Sequence, residues 1–160
     1  MTLDLIWHRT PGYPAMSPSL ERPTTSVLLI DGNDTERRFY ADQLRLCSHG
    51  YLIAEAADGL SGLIHYQSRW FDCVVLELEL PDRSGFEVLI ELVPLASKPN
   101  VAVIVLTKIA HRELLELAKD NGAHVCLVKK LTSVDDLDKA ILRAVACVDL
   151  MAKEERHRLI

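Results

Sequence analysis

The chain has 160 residues, of which 49% are hydrophobic and 26% are charged, and its formal net charge is -5. This length and composition suit one soluble globular domain with a modest extension. The sequence has no basic stripe that would neutralise phosphates, no apolar run long enough to span a membrane, and no secretory signal. We therefore expect neither a direct nucleic-acid binder nor a membrane or secreted protein.

Residues 1–25 are predicted to be an extended or disordered arm. Four of the seven prolines lie here, and proline fixes the backbone dihedral and removes a hydrogen-bond donor. The apolar side chains of Leu5, Ile6 and Trp7 leave open the alternative that part of the arm docks on the domain.

Five short apolar segments alternate with helical patterns from Ser26 onward. In chain order, these are the strand SVLLI, the helix TERRFYADQLRLC, the strand YLIAEA, the helix GLSGLIHYQSRW, the strand DCVVLEL, the helix SGFEVLIELV, the strand NVAVIVLT, the helix HRELLELAKDNG, the strand AHVCLVK and a long final helix capped at Thr132 or Ser133. The first helix is expected to turn Phe39 and Leu44 inward, with Tyr40 and Cys47 as further candidates for the inward face. Continuous apolar strands between amphipathic helices predict a parallel sheet covered on both faces, in a three-layer α/β domain over residues 26–147.

Polar residues stand at four of the predicted strand ends: Asp31, Glu77, Thr107 and Lys129. The carboxyl ends of parallel strands share one edge of the sheet, where functional residues gather. Two carboxylates, a hydroxyl and an ammonium are therefore expected to meet there and to satisfy one another, because burying them unpaired costs several kcal/mol each. The two carboxylates could also begin a Mg²⁺ site.

The segments VLLID, VVLELELPDRSGFEVL, VIVLT and GAHVCLVKK together resemble the receiver domain of two-component response regulators. The resemblance implies a flavodoxin-like (CheY-like) fold, with a five-stranded parallel sheet of order 2-1-3-4-5 and five helices. It also implies phosphoryl transfer from a histidine kinase to an aspartate after the third strand. By position, Asp31 matches the first acid of a metal-binding pair, Thr107 the phosphate-contacting hydroxyl and Lys129 the phosphate-pairing lysine.

Four positions depart from the family pattern. Glu77 stands at the phosphoacceptor position, Gly32 replaces the second acid, Cys126 replaces the aromatic switch residue, and Lys130 replaces a proline. A glutamate carboxylate reaches about 1.5 Å further than an aspartate carboxylate, and misplacement of about 1 Å can slow in-line transfer about a hundredfold. Loss of the acid at Gly32 weakens Mg²⁺ binding.

These departures predict a degenerate pseudo-receiver, a non-catalytic cytoplasmic signalling module with no cofactor and weak or absent Mg²⁺ binding. Glu77 then either acts as a built-in anion that holds one signalling state or simply neutralises Lys129. One alternative is a phosphorelay receiver that is still phosphorylated. Another is a flavodoxin-like ligand-binding protein or enzyme, which the acidic segment DGNDTERR disfavours because it lacks a phosphate-binding loop.

The four cysteines are scattered singly, and no histidines or cysteines have zinc-ligand spacing. Reduced thiols and no structural zinc are therefore expected. Residues 148–160 extend the final helix as a tail that we expect to mediate dimerisation or to lead to an output domain. Val148 and Met151 continue its heptad-like apolar stripe, and Leu114 and Leu117 are expected to join them in an interface. Predicted partners are a histidine kinase, an output domain or another regulator.

Overall fold

The computed structural model describes residues 24–159, so all but the last two residues of the predicted arm lie outside the described chain. Strands and helices alternate as predicted, with a short 3₁₀ helix at Lys129–Leu131. The elements are β1 (Thr25–Ile30), α1 (Asp34–Leu46), β2 (Tyr51–Ala56), α2 (Gly59–Ser68), β3 (Cys73–Leu76), α3 (Gly85–Leu92), β4 (Ala102–Thr107), α4 (Arg112–Asp120), β5 (Val125–Val128) and α5 (Val134–Arg158).

The five strands form one parallel sheet of order β2-β1-β3-β4-β5, which confirms the predicted fold. Ile30 of β1 pairs with Leu76 of β3, and Leu76 pairs in turn with Val105 of β4. Because these three strands are in register at their carboxyl ends, the residues that follow them are brought to one edge of the sheet.

Two hydrophobic clusters cover the two faces of the sheet. Helices α2, α3 and α4 contribute to one cluster, and α1 and α5 contribute to the other. In α1 the buried residues are Arg37, Tyr40, Ala41 and Leu44, which follow helical spacing. The expectation that Phe39 faces inward is wrong, since it is 52% exposed. It lies one position before Tyr40 and is thus rotated about 100° away from the buried stripe.

The glycines of α2 bring this helix close to the sheet. A Cβ atom on Gly62 would lie 2.5 Å from Cδ1 of Ile30, so the backbone of α2 packs directly against the Ile30 side chain of β1. The first turn of α2 is held from the loop after β3, because the Asp82 carboxylate accepts hydrogen bonds from the amides of Gly59 and Leu60 at 2.8 and 2.9 Å. The helix and the loop near the strand ends are thereby fixed together.

Helix α5 is 25 residues long and begins with a capping box between Ser133 and Asp136, at the predicted cap. Its first half covers the sheet through Leu137, Ile141 and Ala144, which are buried. Within residues 24–159, no helix is both long and apolar enough to cross a membrane.

Candidate functional site

The structure brings the four predicted strand-end residues together in one cluster. Asp31 and Glu77 directly follow β1 and β3, Thr107 ends β4, and Lys129 follows β5. Asp31 and Glu77 are each 3% exposed, and Thr107 is fully buried. The Lys129 ammonium lies 2.7 Å from Oδ2 of Asp31 and 3.0 Å from Oε2 of Glu77. The cluster therefore joins three strand ends through one buried cation.

The Glu77 carboxylate faces five hydrogen-bond or ion-pair donors. Its Oε1 atom accepts from the amides of Leu78 and Glu79 at 2.7 and 3.1 Å and from the hydroxyl of Thr107. Its Oε2 atom accepts from the amide of Lys108 at 3.2 Å and pairs with the ammonium of Lys129. A carboxylate offers about four lone-pair positions, so both oxygens of this side chain are fully engaged inside the protein.

Glu36 is a member of the cluster that the sequence analysis missed. It lies in the first turn of α1, and its Oε2 atom accepts a hydrogen bond from the Lys129 ammonium. Its Oε1 atom lies 3.7 Å from the ammonium of Lys108. The available signal was a glutamate three residues after the N-cap Asn33, at the helix end that faces the strand ends.

The charges of the cluster shift two pKa values. Burial by itself would lower the pKa of Lys129, but hydrogen bonds to Asp31 and Glu36 and the nearby carboxylate charges outweigh burial and raise it. Burial would likewise raise the pKa of Glu36, but its hydrogen bond and charge interaction with Lys129, together with the charge of Lys108, lower it. Each group is thus held in its charged form by the other.

Asp31 is held in place from the side of α1. Its Oδ1 atom accepts from the amide of Asn33 at 2.8 Å, and its backbone carbonyl accepts from the buried guanidinium of Arg37 at 2.7 Å. The same guanidinium donates to Asp34 at 2.6 Å. Its Nε atom lies 3.4 Å from Glu55 without hydrogen-bond geometry, so charge attraction alone joins that pair.

Gly32 lies against the ring of Pro81. A Cβ atom on Gly32 would come within 2.8 Å of Cδ and 3.4 Å of Cγ of this proline. The proline ring is closed onto its own backbone and has little freedom to move away. A side chain at position 32 would therefore crowd the ring of Pro81.

The cluster forms one wall of an open cleft of about 390 Å³, which is also lined by Gly32, Asn33, Glu79, Leu80, Pro81 and Lys108. Glu79 is exposed on the rim. One oxygen of Asp31 and one oxygen of Glu77 pair with the Lys129 ammonium. In the part of the chain that the structure describes, no group of three or more His, Cys, Asp or Glu side chains is arranged to hold a metal ion.

Cys126 packs as a small half-buried side chain in β5. Its thiol donates to the carbonyl oxygen of Leu115 in α4 at 3.3 Å, and burial raises its pKa to about 11. A protonated thiol is a poor nucleophile, so the group packs like a small apolar side chain. No bulky ring is available at this position to swing between two orientations.

The residues predicted to form an interface lie in two different surroundings. Leu114 and Leu117 are 36% and 47% exposed on α4. Val148 and Met151 instead line a groove near the amino-terminal ends of the strands, and no residue of α4 lines that groove.

Residues 27–142 match the response regulator receiver domain family. The transcriptional regulatory protein PdtaR of Mycobacterium tuberculosis is 34% identical over 121 residues, which cover 75% of this chain and 56% of that protein. The sensor protein EvgS of Escherichia coli K12 is 30% identical over 142 residues, which cover 86% of this chain and 11% of that protein. The chain thus spans about half or less of these relatives.

Solved receiver structures share the fold. A CheY-like response regulator receiver domain protein from Methanospirillum hungatei JF-1 superposes with a TM-score of 0.70 at 21% identity, covering 80% of this chain and 98% of that one. Chemotaxis response regulator CheY4 of Vibrio cholerae superposes with a TM-score of 0.66 at 26% identity, covering 76% of this chain and 98% of that one.

Proposed function

Because the chain belongs to the response regulator receiver family, we propose that it regulates a protein partner without phosphorylation of a strand-end aspartate. Receiver domains are in general signalling modules rather than enzymes. In this proposal Glu77 supplies a permanent negative charge where other family members acquire one by phosphorylation. The domain then holds one signalling state, and its output is set by which partners it meets.

The observation that carries the proposal is the set of donors around Glu77. The family resemblance implies that the Thr107 hydroxyl and the Lys129 ammonium stand where other members contact the phosphoryl group. In this protein both contact the Glu77 carboxylate. The amide of Lys108 donates to the same carboxylate. A longer carboxylate at this position is thus bound by groups that would otherwise receive a phosphoryl oxygen.

The cleft also supports the absence of ordinary phosphoryl transfer. That reaction depends on positioning and on neutralising developing charge, largely through Mg²⁺. Here Gly32 provides no carboxylate, and Lys129 occupies the space between Asp31 and Glu77. We therefore propose that the domain does not bind Mg²⁺ at this edge of the sheet.

The proposal is tested by intact mass after incubation with acetyl phosphate and Mg²⁺. Wild type is expected to gain no phosphoryl adduct, whereas a Glu77→Asp, Gly32→Asp double variant gains one. A triple variant that also carries Pro81→Ala relieves the contact at Gly32 if the double variant folds poorly, as judged by circular dichroism. An adduct on wild type, or no adduct on either folded variant, would contradict the explanation.

The proposed partner is a protein in the cytoplasm, either a histidine kinase, an output domain or another regulator. Leu114 and Leu117 expose apolar surface on α4 that such a contact would cover. If the partner is a second copy of this chain, sedimentation will show a dimer that a Leu114→Asp, Leu117→Asp variant does not form. A monomer at all concentrations contradicts the homodimer and leaves a different protein as the partner.

A further inference from the structure

A groove of about 590 Å³ lies at the edge of the sheet opposite the charged cluster. Its walls are the end of α2, the loop before β4 and the last turns of α5, and the ion pair between Lys98 and Glu155 at 3.0 Å joins two of these walls. The apolar lining consists of Tyr66, Trp70, Pro99, Val148, Met151 and Ala152. A groove of this size and lining can accept several apolar side chains.

Trp70 is the most unusual member of this groove. Trp70 is 75% exposed, although the large apolar side chain of tryptophan gains more from burial than most side chains do. Met151 beside it is 36% exposed. Neither residue contributes to the two clusters that cover the sheet. The groove is therefore apolar surface that the fold of residues 24–159 leaves uncovered.

The amino-terminal part of the chain joins the domain at this same edge. The hydroxyl of Ser26 donates to the carbonyl oxygen of Trp70 at 3.5 Å, and the amide of Ser26 donates to Asp72 at 2.8 Å. Residues 1–23 therefore connect to the domain, through Thr24, next to the wall that carries Trp70. Within them, LDLIW at residues 3–7 is the densest apolar segment.

The connecting segment is long enough for this apolar segment to reach the groove. Sixteen residues separate Trp7 from Thr24, and an extended chain of that length spans up to about 55 Å. Tethering also raises the local concentration of the segment to roughly the millimolar range, which no free partner of similar chemistry matches at ordinary concentrations. Both sides also carry charges, since Asp4 lies within the segment, Arg9 lies two residues after it, and Lys98 and Glu154 line the groove.

We propose that residues 3–7 of this chain dock in the groove lined by Trp70, Val148 and Met151. The docked segment covers the apolar face of the α5 tail. This inference is independent of the state of Glu77, which lies at the other edge of the sheet.

The two tryptophans make the docking measurable, because Trp7 and Trp70 are the only ones in the chain. In a full-length Trp7→Phe variant, all indole fluorescence comes from Trp70. Acrylamide is a suitable quencher because it is neutral and is not repelled by the negative chain. Docking should make the acrylamide quenching constant of Trp70 about threefold smaller than in a Trp7→Phe, Ile6→Asp variant, because a segment bound in the groove covers most of the surface that lines it.

Two further variants complete the test. Leu20→Asp in the Trp7→Phe background places the same charge in the arm outside residues 3–7 and should leave Trp70 protected. Met151→Asp changes an exposed groove residue and should release the segment as Ile6→Asp does, with circular dichroism confirming the fold. Equal quenching in all variants would overturn the proposal. Protection that disappears on dilution would also overturn it, because the groove would then be covered by a second copy.

Discussion

The Glu77 carboxylate is expected to stabilise the fold as well as to hold its signalling state. A Glu77→Gln substitution keeps the size of the side chain but removes the charge that pairs with Lys129, and it places amide hydrogens opposite donors. Hydrogen bonds to charged groups contribute about 1.5–3 kcal/mol, so we expect the free energy of unfolding to fall by about 2 kcal/mol. Urea unfolding measures this change.

Glu79→Gln is the matched control for that measurement. Glu79 is two residues away, carries the same side chain and is exposed. Its substitution is expected to change the free energy of unfolding by less than about 0.5 kcal/mol. If the two variants lose the same stability, Glu77 is not specifically held by its neighbours.

Glu36 should make the stability of the domain depend on acid pH. Its pKa is lower in the folded state than in the unfolded chain, mainly because Lys129 outweighs the effect of burial. The contribution of Glu36 to folding stability is therefore fully present above its unfolded pKa of about 4.3, and it is lost as the pH falls through its lower folded pKa. A Glu36→Gln variant should lose part of the difference in stability between pH 6 and pH 3, roughly the acid range set by these values.

The control for this variant is Glu113→Gln, because Glu113 also lies in the first helical turn, here of α4. It should keep the acid dependence of wild type. Lys129 does not affect the comparison, because its pKa is raised in the folded state. Its contribution to folding stability is fully present below its unfolded pKa of about 10.4 and is lost only as the pH rises through its higher folded pKa. Equal acid dependence in wild type and the Glu36→Gln variant would contradict the assignment.

At the scale of single elements, helix propensity and packing have opposite effects at Gly62 of α2. Gly62 lowers the intrinsic helix propensity, and replacing it by alanine would favour an isolated helix by about 1 kcal/mol. In the protein the added Cβ atom would meet three side-chain atoms of Ile30 at 2.5 to 3.1 Å. Overpacking of this kind costs about 1–3 kcal/mol, so Gly62→Ala should lower the thermal midpoint despite its better propensity.

A Gly62→Ala, Ile30→Val double variant should recover part of this loss, because valine removes the closest methyl group. His65→Ala, on the exposed face of the same helix, provides the comparison for a change without a close contact. A higher thermal midpoint for Gly62→Ala alone would show that the contact with Ile30 does not destabilise the domain.

Element types were predictable from the sequence because apolar runs and helical spacing report burial directly. The residues at which the strands and helices end were less predictable. β3 ends at Leu76, whereas the predicted strand continued through Glu77 to Leu78, because the Glu77 carboxylate accepts the next two amides and ends the ladder. The inward orientation of Phe39 failed because Tyr40 and Leu44 define the buried stripe, and neighbouring aromatic residues are not distinguished by composition.

At the scale of the whole molecule, the parallel topology explains why the site could be predicted in part. Residues distant in sequence, such as Asp31 and Lys129, meet because strands in register end together. Glu36 was missed because its contact with Lys129 depends on how α1 packs over the strand ends, and the sequence pattern does not show that packing. The crowding of Gly32 by Pro81 was hidden for the same reason.

The closed arrangement of charges at this edge predicts that Mg²⁺ leaves the stability of the whole domain unchanged. A ligand that binds only the folded state adds RT ln(1 + [L]/Kd), so a site with a Kd of about 1 mM would add about 1.4 kcal/mol at 10 mM Mg²⁺. The Lys129 ammonium contacts Asp31, Glu36 and Glu77 together, and we expect it to take the place of a bound metal ion. Thermal unfolding in MgCl₂ should therefore match thermal unfolding in KCl of equal ionic strength, and a midpoint that rises with the logarithm of the Mg²⁺ concentration would show that the lysine leaves room for a metal.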